Sequence, residues 1–138
     1  MSPVFLDTSG LIAVVNADDS MRADALQVWH RLIAARVPLI TTSLVLVELG
    51  DGLSRVRLRH LAIETRRRLL ESPTCDVIQV TLELEAEGWD LFVNRNDKSW
   101  GVTDCISMVV AKERSATSVF TSDRHFEQAG FEVLLRQP

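Results

Sequence analysis

Val4-Phe5-Leu6 runs without a break into Asp7-Thr8-Ser9, and this junction constrains the fold more than any other stretch of the chain. A short, uninterrupted apolar run reads as a strand buried on both faces, the habit of central strands in parallel sheets. Its polar end then falls at the carboxyl edge of the sheet, where open α/β folds bind their ligands. Core packing does not explain an acid at that place. Asp7 is either a turn-former or part of a site.

The rest of the chain supplies what such a strand needs. Residues 11–15 form a short apolar segment, and 16–20 a polar turn from which Asp19 or Ser20 can cap a helix over about 21–35. Ala25, Val28, Trp29, Leu32 and Ile33 recur there at helical spacing. Residues 38–42 read as a second strand, and Ser43 caps a helix carrying Leu44, Val47 and Glu48. A further helix over about 58–70 stops at Ser72-Pro73, because the residue before proline avoids helical geometry. Residues 76–80 make a third strand, and Thr81 caps a helix with Leu82, Ala86, Trp89 and Phe92 on one face. Residues 94–99 are a loop, and Thr103 caps a helix to about Arg114. A fourth strand over 117–121 leads to a short helix over 123–128, then a fifth strand over 131–135. Strands alternating with helices predict the α/β class: a three-layer α/β/α sandwich around a central parallel sheet of about five strands. No repeat or linker divides residues 1–138, so one domain is expected.

Composition narrows the function classes. The chain is 46% hydrophobic and 25% charged, enough apolar content for a proper core. No apolar run approaches the roughly 18–20 residues that cross a bilayer, and no basic region precedes the first apolar run, as a signal peptide requires. Cys75 and Cys105 have neither metal-ligand spacing nor a secreted disulfide pattern. A cytoplasmic protein is expected, with no membrane partner. A net charge of −4 argues against nonspecific coating of nucleic acid but leaves a local site open.

Four acids occupy awkward places. Asp7 ends the first strand, and Glu48 lies between Val47 and Leu49 in a strongly apolar helix. Asp104 opens a helix whose next residues are nearly all apolar, and Asp123 follows the strand residues Val119-Phe120-Thr121. In a parallel sheet, strand ends and the starts of the following helices share one edge, so all four can converge. Each also has an ordinary reading. Asp104 and Asp123 suit helix N-termini, Asp7 suits a turn, and Glu48 can be exposed or salt-bridged to an arginine. Together the coincidences favour a site. Clustered carboxylates raise one another's pKa unless a cation sits among them, and an all-oxygen set without an accompanying cysteine or histidine suits Mg²⁺ or Mn²⁺.

These residues resemble the PIN-domain family, in particular the VapC-type toxins of bacterial and archaeal toxin–antitoxin pairs. The resemblance spans the chain. It rests on Phe5-Leu6-Asp7-Thr8-Ser9, on Thr41-Thr42-Ser43 followed by Val47-Glu48-Leu49, and on the stretch Asp97 to Ser107 with its core Gly101-Val102-Thr103-Asp104-Cys105-Ile106-Ser107. It rests further on Thr121-Ser122-Asp123-Arg124-His125-Phe126 with Ala129-Gly130-Phe131. The third segment is the most specific. The resemblance implies a PIN-like fold and a Mg²⁺- or Mn²⁺-dependent endoribonuclease whose metal-binding, catalytic acids are Asp7, Glu48, Asp104 and Asp123. It also implies a small cognate antitoxin, a homodimer, and hydrolysis leaving a 5′-phosphate and a 3′-hydroxyl.

Thr8, Ser9, Thr103 and Ser107 are candidate supports that hydrogen-bond the carboxylates or metal-bound waters, with helix capping as the competing role. Asp97 is a weaker candidate, for which a solvated loop acid is the favoured reading. The segment from Arg55 to Arg68 holds six arginines and one acid, so it carries +5 and the remainder −9. Arg55, Arg59 and Arg66, together with Arg124 beside Asp123, are candidate contacts for RNA phosphates or for an acidic partner segment. Rival chemistries fit less well. A dehalogenase-type site wants an acid where Ser9 stands, a receiver wants an acid pair and a late lysine, and no G-x-G-x-x-G follows the first strand. A PIN-like scaffold that binds RNA or protein without cutting stays open as the alternative, as does a housekeeping PIN nuclease outside any toxin pair.

Overall fold

The structure, a computed structural model, describes residues 1–136. Five strands, β1 (Val4–Leu6), β2 (Leu39–Thr42), β3 (Cys75–Ile78), β4 (Ser118–Phe120) and β5 (Glu132–Val133), form one sheet in the order β3-β2-β1-β4-β5. Every pairing is parallel. The connections are helical: α1 (Thr8–Val15), α2 (Arg22–Ala34), α3 (Ser43–Gly52), α4 (Arg59–Glu71), α5 (Leu82–Asn94), α6 (Val102–Glu113) and α7 (Arg124–Gln128). This is the α/β/α sandwich expected. Among the described residues no helix is long and apolar enough to cross a membrane.

β1 is central, and all three of its residues are buried, as a strand covered on both faces must be. β2 beside it is buried throughout although it ends in two threonines. The buried hydroxyl of Thr41 is satisfied by donating to the Leu6 carbonyl at 2.8 Å, which also ties the carboxyl ends of β1 and β2 together. Phe5, Leu6, Val119, Phe120 and Phe126 are fully buried in the core. Trp29 of α2 covers Phe120 with ring centroids 5.6 Å apart.

Several boundaries differ from the sequence reading. The apolar segment 11–15 is the second half of α1, which begins directly after β1 with Asp7 at its N-cap position. Gly10 makes that abrupt entry possible: a Cβ there would overlap the Phe120 carbonyl. The third strand starts one residue earlier than read, and the fifth shrinks to two residues. The caps also shift. Thr42 rather than Ser43 caps α3, accepting from the Val45 N–H at 3.1 Å, while the Ser43 hydroxyl accepts from the Val80 N–H at 2.9 Å. Gly101 rather than Thr103 holds the N-cap of α6, and Met21 that of α2, with Asp19 accepting from the Met21 N–H. In each case the hydroxyl or acid is present but one or two places off, and Ser43 is drawn to the Val80 N–H beyond β3 instead. Cys75 and Cys105 are free thiols.

Candidate metal centre

The carboxyl ends of β1, β2 and β4 lie side by side, so Asp7, α3 and Thr121 meet at one edge of the sheet. Asp7 is buried, and the Thr121 hydroxyl donates to its Oδ2 at 2.8 Å. The same Thr121 oxygen accepts the backbone N–H of Asp123 at 3.0 Å, so one buried hydroxyl sets the positions of two acids. Ser9 joins this knot, lying 2.8 Å from Thr121 and 3.4 Å from Asp7, and accepting the Ser122 N–H. Glu48, in the second turn of α3, reaches across to accept from Thr8 at 2.9 Å. Asp104 sits in the first turn of α6 and accepts the Gly101 N–H at 3.1 Å through Oδ2. Asp123 caps α7 by accepting the His125 N–H at 2.9 Å through Oδ1. Each acid thus commits one oxygen to these side-chain and cap bonds and turns the carboxylate as a unit.

The electrostatics are unfavourable for the acids alone. Burial pushes the Asp7 carboxyl up to about 6, and the Asp104 and Glu48 charges add to the rise against the pull of the Thr121 hydrogen bond. Burial also raises Glu48, helped by Asp104 and Asp51. Among the described residues no arginine or lysine forms an ion pair with any of the four. Close acids without an arginine or lysine partner call for a cation. Asp104, Asp123 and His125 each present a donor atom, and all three atoms lie within 4.8 Å of one another. The donors fit a hard divalent ion: oxygen-rich, preoriented and negatively charged.

Comparison with known proteins finds the same fold. The sequence model of the PIN domain matches residues 4–132. The chain belongs to the PIN-domain family. It is 30% identical over 129 residues to the 23S rRNA-specific endonuclease VapC20 of Mycobacterium tuberculosis, covering 93% of this chain and 95% of that protein. The crystal structure of VapC20, a sarcin–ricin-loop-cleaving toxin, matches with a TM-score of 0.81 at 28% identity, over 97% of this chain and 99% of that one. VapBC2 from Rickettsia felis, bound to a DNA fragment from its promoter, matches with a TM-score of 0.69 over 95% of this chain and 96% of that chain. At 16% identity it shows the shared fold alone.

Within this PIN domain the candidate residues divide. Asp7, Glu48 and Asp104 are near enough for their charges to act on one another, and Thr121 links Asp7 to Asp123. The supports are redistributed: Thr8 serves Glu48 rather than Asp7, whereas Ser9 and Thr121 serve Asp7. Thr103 lines an adjacent groove instead, and Ser107 is buried in the packed face of α6. Asp97 is held by Arg95 at 3.0 and 3.2 Å in an exposed loop, away from the cluster's hydrogen bonds. Sequence reading missed Thr121, the best-placed hydroxyl, and underrated His125, whose Nδ1 lies 3.1 Å from Asp104 and 3.4 Å from Asp123. Both stand in the Thr-Ser-Asp-Arg-His run already singled out, so the signal was present in the motif.

The arginines divide as well. Arg67 and Arg68 bind Glu64, Arg57 pairs with Asp18 at 3.7 Å, and Arg59 donates to the Ser54 carbonyl at 2.7 Å. Arg55, Arg66 and Arg124 are exposed and, among the described residues, engaged in no ion pair.

Proposed function

We propose that this PIN domain is a divalent-metal-dependent endoribonuclease, the toxin of a toxin–antitoxin pair, working in the cytoplasm. The observation that carries the reading is the convergence of Asp7, Glu48, Asp104 and Asp123 on one sheet edge with, among the described residues, no arginine or lysine paired to them and only His125 beside Asp104 and Asp123. These four acids are the proposed catalytic and metal-binding set. A Mg²⁺ or Mn²⁺ ion held there supplies charge neutralisation for the phosphate and a water of lowered pKa.

The chain's own groups do the rest. The Thr121 and Ser9 hydroxyls fix Asp7, the Thr8 hydroxyl fixes Glu48, and the Gly101 N–H fixes Asp104, so the acids do not have to reorganise when substrate arrives. The N-terminus of α6 points its positive dipole end toward Asp104, which lies in the helix's first turn. Arg55, Arg66 and Arg124 are left to hold the RNA phosphates, since the other basic side chains of the Arg55–Arg68 segment named above are already engaged. Arg59 takes a smaller part because its guanidinium is tied to Ser54. Likeness to VapC20 makes the sarcin–ricin loop of 23S rRNA the first substrate to offer.

The chain also works as a homodimer in this reading. Val47, Leu82, Trp89, Phe92 and Val93 leave a run of exposed apolar side chains along α3 and α5, which a monomer has no reason to keep in water. The antitoxin then takes another face, with its acidic residues answering the exposed arginines. The test of the activity is direct. Asp7→Asn should abolish Mg²⁺- or Mn²⁺-dependent cleavage of a sarcin–ricin-loop RNA while circular dichroism stays unchanged. Undiminished cleavage by a folded Asp7→Asn protein overturns the assignment.

A further inference from the structure

Resting on the metal-site reading, we propose that His125 is a nitrogen ligand of the bound cation, and that it makes the site prefer Mn²⁺ over Mg²⁺. The argument is geometric. Nδ1 of His125 lies 3.1 Å from Asp104 Oδ2 and 3.4 Å from Asp123 Oδ1. Neighbouring donors on an octahedral ion with bonds of about 2.1 Å stand roughly 3 Å apart, which is the spacing found between this nitrogen and each of the two oxygens. The imidazole is held at that place from both sides. Its backbone N–H donates to Asp123, so Asp123 and His125 form one turn, and Phe126 next to it is fully buried and anchors α7 in the core. The histidine and both acids are half-buried, with side-chain exposures of 33%, 22% and 35%, so the ring nitrogen remains within reach of an ion entering from solvent, which would displace the proton that Nδ1 donates to Asp104.

Chemistry then sets the selectivity. Mg²⁺ demands oxygen donors and keeps its waters, whereas imidazole nitrogen favours first-row transition ions. Two carboxylate oxygens with one imidazole give a donor set that Mn²⁺ accepts in full. The four acids alone do not discriminate between the two ions. Asp104 faces Asp7 and Glu48 on one side and His125 on the other, so the nitrogen enters the cluster at the Asp104–Asp123 end.

Pulsed electron paramagnetic resonance of Mn²⁺ bound to the purified protein tests the ligand, and calorimetric titration with Mn²⁺ and with Mg²⁺ tests the preference. The wild type should show imidazole ¹⁴N coupling to Mn²⁺. The remaining histidines, His30 and His60, lie on α2 and α4 outside the acid cluster. His125→Gln should remove the coupling and weaken Mn²⁺ by at least the roughly 10–100-fold that loss of an outer-shell partner costs, with Mg²⁺ changing much less. A parallel loss of both ions, or bound Mn²⁺ without nitrogen coupling, overturns the ligand role and makes His125 a positioning residue for the acids. If wild-type protein binds no Mn²⁺ at all, the metal-site reading falls with it. Nitrogen coupling in the wild type carries the conclusion even if the variant folds poorly.

Discussion

Asp7 shows how a single carboxylate links folding to the proposed chemistry. Its ordinary pKa of 3.8 rises to about 6 in the folded chain because burial disfavours the charged form. The folded state therefore holds the Asp7 proton more tightly than the unfolded state does, and its contribution to stability is complete below pH 3.8 and lost as pH rises through about 6. At roughly 1.4 kcal/mol per pKa unit the loss is on the order of 3 kcal/mol. Glu48 shifts in the same direction. Metal-free wild type should accordingly lose stability relative to Asp7→Asn between pH 4 and 6, followed by urea unfolding at each pH. At pH 7 excess Mg²⁺ or Mn²⁺ should raise the melting temperature of the wild type and leave Asp7→Asn much less affected. Parallel pH curves for the two proteins count against a buried, strained Asp7.

At the scale of elements, the site depends on how closely α1 can follow β1. Asp7 is the last residue before α1, and Gly10 lies against the Phe120 backbone at the end of β4. Phe120 leads directly into Thr121, so this contact sets the distance from Asp7 to its hydroxyl partner. Gly10→Ala places a methyl group against a carbonyl oxygen that cannot rotate away, an overpacking that costs typically about 1–3 kcal/mol. The expected result is a lower urea midpoint together with a loss of cleavage that persists well below the melting temperature, since the Thr121–Asp7 bond is stretched. Unchanged stability and activity mean that α1 has slack the structure does not show. This contact also marks where sequence reading stops. Val4-Phe5-Leu6 and the alternation of strands and helices were legible because burial on two faces and helical periodicity are written in local composition. The start of α1 was not, because two hydroxyl residues and a glycine read locally as a turn, and only the packing against Phe120 makes them helix. The four acids were legible from being locally misplaced. Thr121 and His125 were legible only as members of the Thr-Ser-Asp-Arg-His run and not in their roles, because a threonine closing a strand and a histidine in a short helix are ordinary until the fold brings Asp7 and Asp104 beside them.

At the scale of the molecule, the sheet is closed on both faces by helices, but α5 is only half used. Its inner side packs on α6 so tightly that a Cβ at Gly88 would overlap Ile106, while Leu82, Trp89, Phe92 and Val93 remain exposed. Trp89 and Phe92 stack edge to face at 5.6 Å, forming a preordered apolar knob rather than two loose side chains. Val47 of α3 extends the surface and lines one groove with Trp89 and Thr103. A two-fold copy joined through this face would bury apolar area symmetrically, the same patch meeting itself. The double variant Trp89→Glu, Val93→Glu introduces four like charges into such an interface, against one pair's worth in a monomer. Light scattering should then find a dimer for the wild type and a monomer for the variant, with circular dichroism unchanged because both side chains already lie at the surface. A wild-type monomer, or a variant that still dimerises, removes this face as the joint and leaves it free for another partner.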